Sequence, residues 1–163
     1  MVSEVVVGDA AKGGLYIIQN EGETTSHINS TQVSQSNSSQ FSVITVTKSG
    51  KLVRNNLNYS VNGEGCESNM YGVYFTRDNQ HVDNHTYVDH LQPNCNSNEL
   101  YKGVMNDKST GVFNGKIMVQ REAQKTNAFQ SNQNILLSDT ASIFTKPELE
   151  IYADDVKCSH GCT

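Results

Sequence analysis

The chain has 163 residues, of which 36% are hydrophobic and 18% charged, and its formal net charge is −5 at pH 7. This length fits one domain with its own core, and the negative charge removes the electrostatic basis for nucleic-acid binding. No apolar run is long enough to cross a membrane as a helix, and the N-terminus lacks a signal-peptide pattern.

Short apolar runs alternate with turn-forming residues along the whole chain, which predicts strands and no helix of normal length. In chain order the runs are Val5–Val7, Leu15–Ile18, Phe41–Val46, Tyr71–Phe75, Val112–Phe113, Ile117–Val119, Ile135–Leu137 and Leu149–Tyr152. The breaks between later runs are Asn62–Gly65, Arg77–Asn79, Asn94–Asn98 and Asn106–Ser109. The 18 Asn and 12 Gly residues favour such tight turns. A parallel sheet with helical crossovers is therefore disfavoured.

Two all-β architectures fit these runs. Val88, Val112, Ile135 and Val156 fall in β-like segments about one solenoid repeat apart, with Asn-rich and Gly-rich breaks between them. That spacing favours a β-solenoid, but an antiparallel sandwich with regular hairpins fits the composition equally well. The small, polar segment 30–40 is expected to be either a linker or a solvent-facing rung of a solenoid with few apolar residues.

The last seven residues place three candidate metal ligands at alternate positions. In an extended strand Cys158, His160 and Cys162 share one face. Thiolate and imidazole are the ligands that iron–sulfur centres and zinc prefer. One strand supplies too few converging ligands for a closed site, so a partner chain would have to complete it at this edge. The alternative is a pair of packed cysteines and a structural histidine.

A second segment rich in ligand types is His81–His90. As a strand it places His81, Asp83 and His85 on one face and His90 on the other. Because third and fourth converging ligands are missing, we favour a solvated strand with hydrogen-bonding histidines over a zinc or iron site.

The four cysteines indicate a compartment and a role. Without an export signal we expect reduced thiols and a cytoplasmic location. Cys66 and Cys95 lack zinc-site spacing and are expected to be small buried side chains. No nucleophile elbow and no phosphate-binding loop is present, so we expect no enzyme active site. Aspartates in turns leave a carbohydrate-active solenoid as an alternative.

The segment Lys146–Gly161, which reads KPELEIYADDVKCSHG, resembles the SufB/SufD family of iron–sulfur cluster assembly proteins, and within it the SufD type. Further segments resemble the family in the same order, and these are His81–Asn84, Val88–His90, Glu99–Gly103, Gly111–Ile117, Gln124–Ala128 and Asn134–Asp139. The resemblance is close over residues 64–163 and looser over residues 1–63.

The resemblance implies an all-β fold, a right-handed parallel β-helix, over residues 1–163. It implies one core domain of a longer protein, without that protein's N-terminal and C-terminal helical regions. The function implied is a non-catalytic scaffold of the SUF system that pairs with SufB through the terminal strands. The SufC ATPase would bind only the full-length protein, and the exposed last turn could instead give a homodimer.

The resemblance also implies roles for two residues. Cys158 and His160 would help hold a nascent, transient iron–sulfur cluster at the partner junction, with no cofactor bound tightly by this part alone. Cys162 stands where relatives carry a small residue, so only strand geometry supports it as a ligand. A purely structural interaction module is the alternative.

Overall fold

In the computed structural model, which describes residues 1–163, the chain forms twelve β-strands and no helix. The strands are β1 (Val2–Val7), β2 (Lys12–Asn20), β3 (Ser26–Gln35), β4 (Gln40–Ser49), β5 (Leu52–Val61), β6 (Glu67–Thr76), β7 (His81–His90), β8 (Asn96–Met105), β9 (Thr110–Val119), β10 (Asn127–Leu136), β11 (Ser142–Ile151) and β12 (Lys157–Cys162). The structure has no helix that is long and apolar enough to span a membrane.

The strands form two six-stranded sheets. The first sheet has the order β1-β3-β5-β7-β9-β11 and the second has the order β12-β10-β8-β6-β4-β2. Every neighbouring pair is parallel. Each turn of the chain, here called a rung, therefore adds one strand to each sheet. This confirms the prediction of a parallel β-solenoid and excludes the antiparallel sandwich.

The predicted repeat that joins Val88, Val112 and Ile135 is nevertheless wrong. The register partner of Val88 is Ile117, one rung later, whereas Val112 pairs with Asp83. Ile135 belongs to the other sheet. Segment 30–40 is not a linker, since most of it is β3, with Val33 buried.

A left-handed backbone conformation recurs at the corner that precedes the first five strands of the second sheet in chain order, β2, β4, β6, β8 and β10. The residues with φ between 54° and 67° at this corner are Ala10, Ser38, Gly65, Asn94 and Lys125. The next residue in four successive rungs is small and fully buried, and these residues are Ser39, Cys66, Cys95 and Thr126. Positive φ turns the chain sharply, and Gly, Asn and Ser tolerate such turns. The breaks Asn62–Gly65 and Asn94–Asn98 fall at this corner, whereas Arg77–Asn79 and Asn106–Ser109 fall at the corner that precedes β7 and β9 of the first sheet.

The core differs between the two sheets. In the first sheet an inward column of apolar side chains runs along the solenoid, formed by Val33, Tyr59, Val88, Ile117 and Leu149. In the second sheet the facing column begins apolar and becomes polar, and its members are Val43, Met70, Glu99, Gln130 and His160. The polar part of the interior thus leads toward the last strand.

Candidate functional site

The three candidate ligands lie on β12, the last strand of the second sheet. Strand β12 pairs in parallel with β10, so that Cys158 lies opposite Ala128, His160 opposite Gln130, and Cys162 opposite Asn132. The three β10 partners are buried, which means that this face points toward the interior of the solenoid. The prediction that the three side chains share one face is confirmed.

The three side chains differ in their exposure. Cys158 is half-buried and packs against the core, whereas His160 and Cys162, on the edge strand of this sheet, are exposed. Burial raises the pKa of the Cys158 thiol, and a hydrogen bond with the Ala128 backbone opposes this rise. Cys158 is therefore held in its protonated form more strongly than an exposed cysteine.

The chain alone does not assemble a complete metal site. No three His, Cys, Asp or Glu side chains lie close enough together to hold an ion. Successive inward residues of one strand are roughly 6.6 Å apart, so Cys158 and Cys162 are roughly 13 Å apart, too far for all three side chains to converge on one ion. The geometry instead offers separate thiol and imidazole ligands along an edge.

Strands β11 and β12 are the edge strands of the two sheets at this end of residues 1–163. Strand β11 is the last of the first sheet and carries Pro147, whose missing N–H is tolerated at an edge. Leu149 packs against the core from that strand. Strand β12 contains no proline, so all of its residues carry the backbone N–H and C=O groups that strand pairing needs.

Anchored amide side chains support the site from the rung below. Gln130 Nε2 donates to Glu99 Oε2, and Asn132 Nδ2 donates to the Tyr101 carbonyl oxygen at 3.2 Å. Both amide side chains are buried. The inward neighbours of His160 and Cys162 are thus fixed polar groups rather than loose side chains.

Sequence reasoning missed Glu99 and Gln130. Strand alternation with buried Tyr101 could have placed Glu99 on the inner face, but an acidic residue is expected outside. Gln130 carries no signal of its own, because its role depends on its register with Glu99 and His160.

The histidine-rich strand β7 makes local polar contacts on both of its faces. Asp83 and His85 lie on the outer face of β7, where His85 Nε2 is 2.9 Å from Asp83 Oδ1. Arg54 Nη1 donates to Asp83 Oδ2 at 2.6 Å. His90 points inward, is fully buried, and lies 2.9 Å from the Ser97 hydroxyl through Nε2. These contacts are local polar pairs and do not form a metal site.

The other two cysteines are buried free thiols, as predicted. The Cys66 thiol donates to the Gly63 carbonyl oxygen at 3.2 Å, and the Cys95 thiol donates to the same oxygen at 3.3 Å. They lie at the corner of successive rungs, away from β12.

The sequence matches the family described as SUF system FeS cluster assembly, SufBD core domain, over residues 1–163. It is 36% identical to an iron–sulfur cluster assembly SufBD family protein of Synechocystis over 163 residues, covering 100% of the chain and 36% of that protein. It is 41% identical to the iron–sulfur cluster assembly protein SufD of Escherichia coli over 114 residues, covering 70% of the chain and 27% of that protein.

A plant relative gives a similar result. The chain is 35% identical to Protein ABCI7, chloroplastic, of Arabidopsis thaliana over 161 residues, covering 98% of the chain and 34% of that protein. The chain therefore spans about a third of the length of these relatives. The matches confirm the resemblance seen in the sequence and extend it over residues 1–63.

Proposed function

Because the chain belongs to the SufBD family of the SUF iron–sulfur cluster assembly system, we propose that it is a non-catalytic scaffold for a nascent cluster. The observation that supports this proposal is the placement of Cys158 and His160 on one inward face of the terminal strand, at the open end of the solenoid. Thiolate and imidazole both bind the iron of such clusters. The cluster is the cargo of the scaffold and is held transiently.

The partner that we propose is SufB, paired through the terminal strands. A cluster needs more ligands than this strand brings together, so a second chain has to supply the rest. The open edge of β12 gives that chain a row of backbone hydrogen-bonding groups. A second copy of this chain is the alternative occupant. We assign the SufC ATPase no surface on residues 1–163.

The chemistry at Cys158 requires loss of a proton. The thiolate binds iron, and burial raises the pKa of this thiol, so iron has to displace a tightly held proton. Capture at this cysteine should strengthen as the pH rises. The four free thiols fit a reducing compartment, and we place the function in a cytoplasm-like one.

The test is anaerobic reconstitution of the complex with a SufB partner, using ferrous iron and sulfide. We expect His160→Ala and Cys158→Ala to retain iron at least about tenfold more weakly, since even outer-shell partners of a metal carry that much affinity. The matched control is His81→Ala, which removes a half-buried histidine from the outer face of the other sheet.

Two outcomes would count against the proposal. Unchanged iron, sulfide and visible absorption in both variants would remove the ligand role. A complex that forms normally but never retains iron would favour a purely structural interaction module. Cys162→Ala then tests whether the third member of the row contributes at all.

A further inference from the structure

A buried carboxyl and a buried amide lie inside the solenoid directly below the candidate site. Glu99 and Gln130 are each 3% exposed. Gln130 Nε2 donates to Glu99 Oε2, but Glu99 Oε1 and Gln130 Oε1 have no hydrogen-bond partner. A buried oxygen without a hydrogen-bond partner destabilises the folded state, so two of them in a packed core call for a role.

The position of the Gln130 amide is fixed by packing from the opposite sheet. The amide extends so far across the interior that a Cβ on Gly115 would lie 2.3 Å from Gln130 Nε2. Only glycine leaves this space, and Glu99 then holds the amide nitrogen from the rung below. With its nitrogen committed to Glu99, the amide offers only its carbonyl oxygen to a further group.

His160 is the next residue along this column, and its imidazole ring can donate an N–H. It is the register partner of Gln130 on the next and last rung, on the same inward face. A histidine that binds iron through one ring nitrogen carries a proton on the other and usually donates it to a carbonyl or carboxylate oxygen. Gln130 Oε1 is an oxygen of that kind, and it has no donor.

We propose that Glu99 and Gln130 are positioning residues for His160. Glu99 fixes the orientation of the Gln130 amide, and an inward rotation of the exposed His160 ring lets the free carbonyl oxygen accept the N–H of the neutral imidazole. This selects one tautomer and leaves the other ring nitrogen free to bind iron. The inference rests on the proposed function, because the proposed cluster supplies the iron that the free ring nitrogen would bind.

The test uses the 163-residue chain alone, without iron or partner, and measures the side-chain ¹⁵N resonances of its histidines by NMR at about pH 8, where histidine is neutral. The His160 signals are assigned by their loss in His160→Ala. We expect one tautomer to dominate in the unmodified chain. Gln130→Met should remove the acceptor, and most of the separation between the two ring-nitrogen resonances should be lost.

Glu99→Gln serves as the second variant, because the new amide can hydrogen-bond Gln130 in either orientation and should also weaken the tautomer preference. The control is Gln35→Met, which removes another fully buried, hydrogen-bonded glutamine far from β12. It should leave the His160 resonances unchanged.

Unchanged His160 resonances in either folded variant would overturn the proposal. Because the His160 resonances are measured without a cluster, their result does not depend on whether the scaffold function is correct. A tautomer that shifts, together with His160→Ala complexes that retain iron normally, would leave the positioning role standing and remove the ligand role.

Discussion

Tyr101 lies directly over Gly72 of the neighbouring strand, so close that a Cβ on Gly72 would be 2.3 Å from the Tyr101 ring. Tyr101 is 2% exposed and packs against Phe113, with ring centroids 5.1 Å apart. The large side chain of Tyr101 therefore requires a residue without a side chain at position 72 of the adjacent rung. We expect Gly72→Ala to lower the free energy of unfolding by about 1–3 kcal/mol through overpacking. Urea denaturation measures it.

The control for this variant is Gly8→Ala. A Cβ on Gly8 meets nothing within 4 Å, so the change should stay within about 0.5 kcal/mol. Equal effects of Gly72→Ala and Gly8→Ala would mean that the rung below Tyr101 relaxes freely.

Glu99 should make stability fall as the pH rises. Burial raises the pKa of Glu99 to about 7 from its usual 4.5, with smaller opposing contributions from the neighbouring side chains of Thr86 and Gln130. The folded state thus binds this proton more tightly than the unfolded state does. Its stabilising contribution is complete below about pH 4.5 and is lost as the pH rises to about 7. The stability lost is on the order of 3 kcal/mol.

Glu99→Gln should remove that loss, because an amide does not ionise. Urea unfolding at about pH 5 and about pH 8 would show a smaller difference for this variant than for the unmodified chain. The exposed Glu122→Gln is the control and should keep the full difference. Identical pH dependence in Glu99→Gln and the unmodified chain would contradict the assignment.

His90 should act in the opposite direction. Burial lowers the pKa of His90 to about 4 from its usual 6.5, and its Nδ1 has no hydrogen-bond partner. The neutral ring contributes stability that is present above about pH 6.5 and is lost as the pH falls toward about 4. The stability lost is again on the order of 3 kcal/mol. In a Glu99→Gln background, adding His90→Gln should flatten the stability over this window.

Unfolding curves between the two pH limits measure this contribution. The control in the same background is His81→Gln, on the outer face of the strand. A steep loss on acidification that survives His90→Gln would assign it to other groups.

Local sequence patterns were enough to predict an all-β fold, because apolar runs and turn residues can be recognised from adjacent positions in the sequence. The predicted rung length is wrong, because the pairing of Val88 with Ile117 depends on the register between β7 and β9. Register depends on how each corner turns, and Lys125 adopts a left-handed conformation that its residue type does not signal.

The same limit applies to the candidate site. Alternation along one strand was enough to place Cys158, His160 and Cys162 on a common face. The buried pair below them depends on contacts between residues 31 positions apart, Glu99 and Gln130. A periodic pattern within one strand holds no information about such a contact.

The four cysteines should react with iodoacetamide in an order set by their environments. Exposed Cys162 should be labelled first and half-buried Cys158 more slowly, because burial raises the pKa of its thiol. Cys66 and Cys95 should react only when the corner opens, since both are fully buried. Burial also raises the pKa of Cys95 to about 11. Peptide mass spectrometry over time gives the four rates.

Partner binding should change only part of this order. If SufB pairs with β12, Cys158 and Cys162 should be protected in the complex, while Cys66 and Cys95 keep the rates of the free chain. Denaturation in urea is the control that makes all four thiols equally accessible. Protection of Cys66 without protection of Cys162 would place the partner at the corner rather than at the open end, and the scaffold proposal would then lose its shared site.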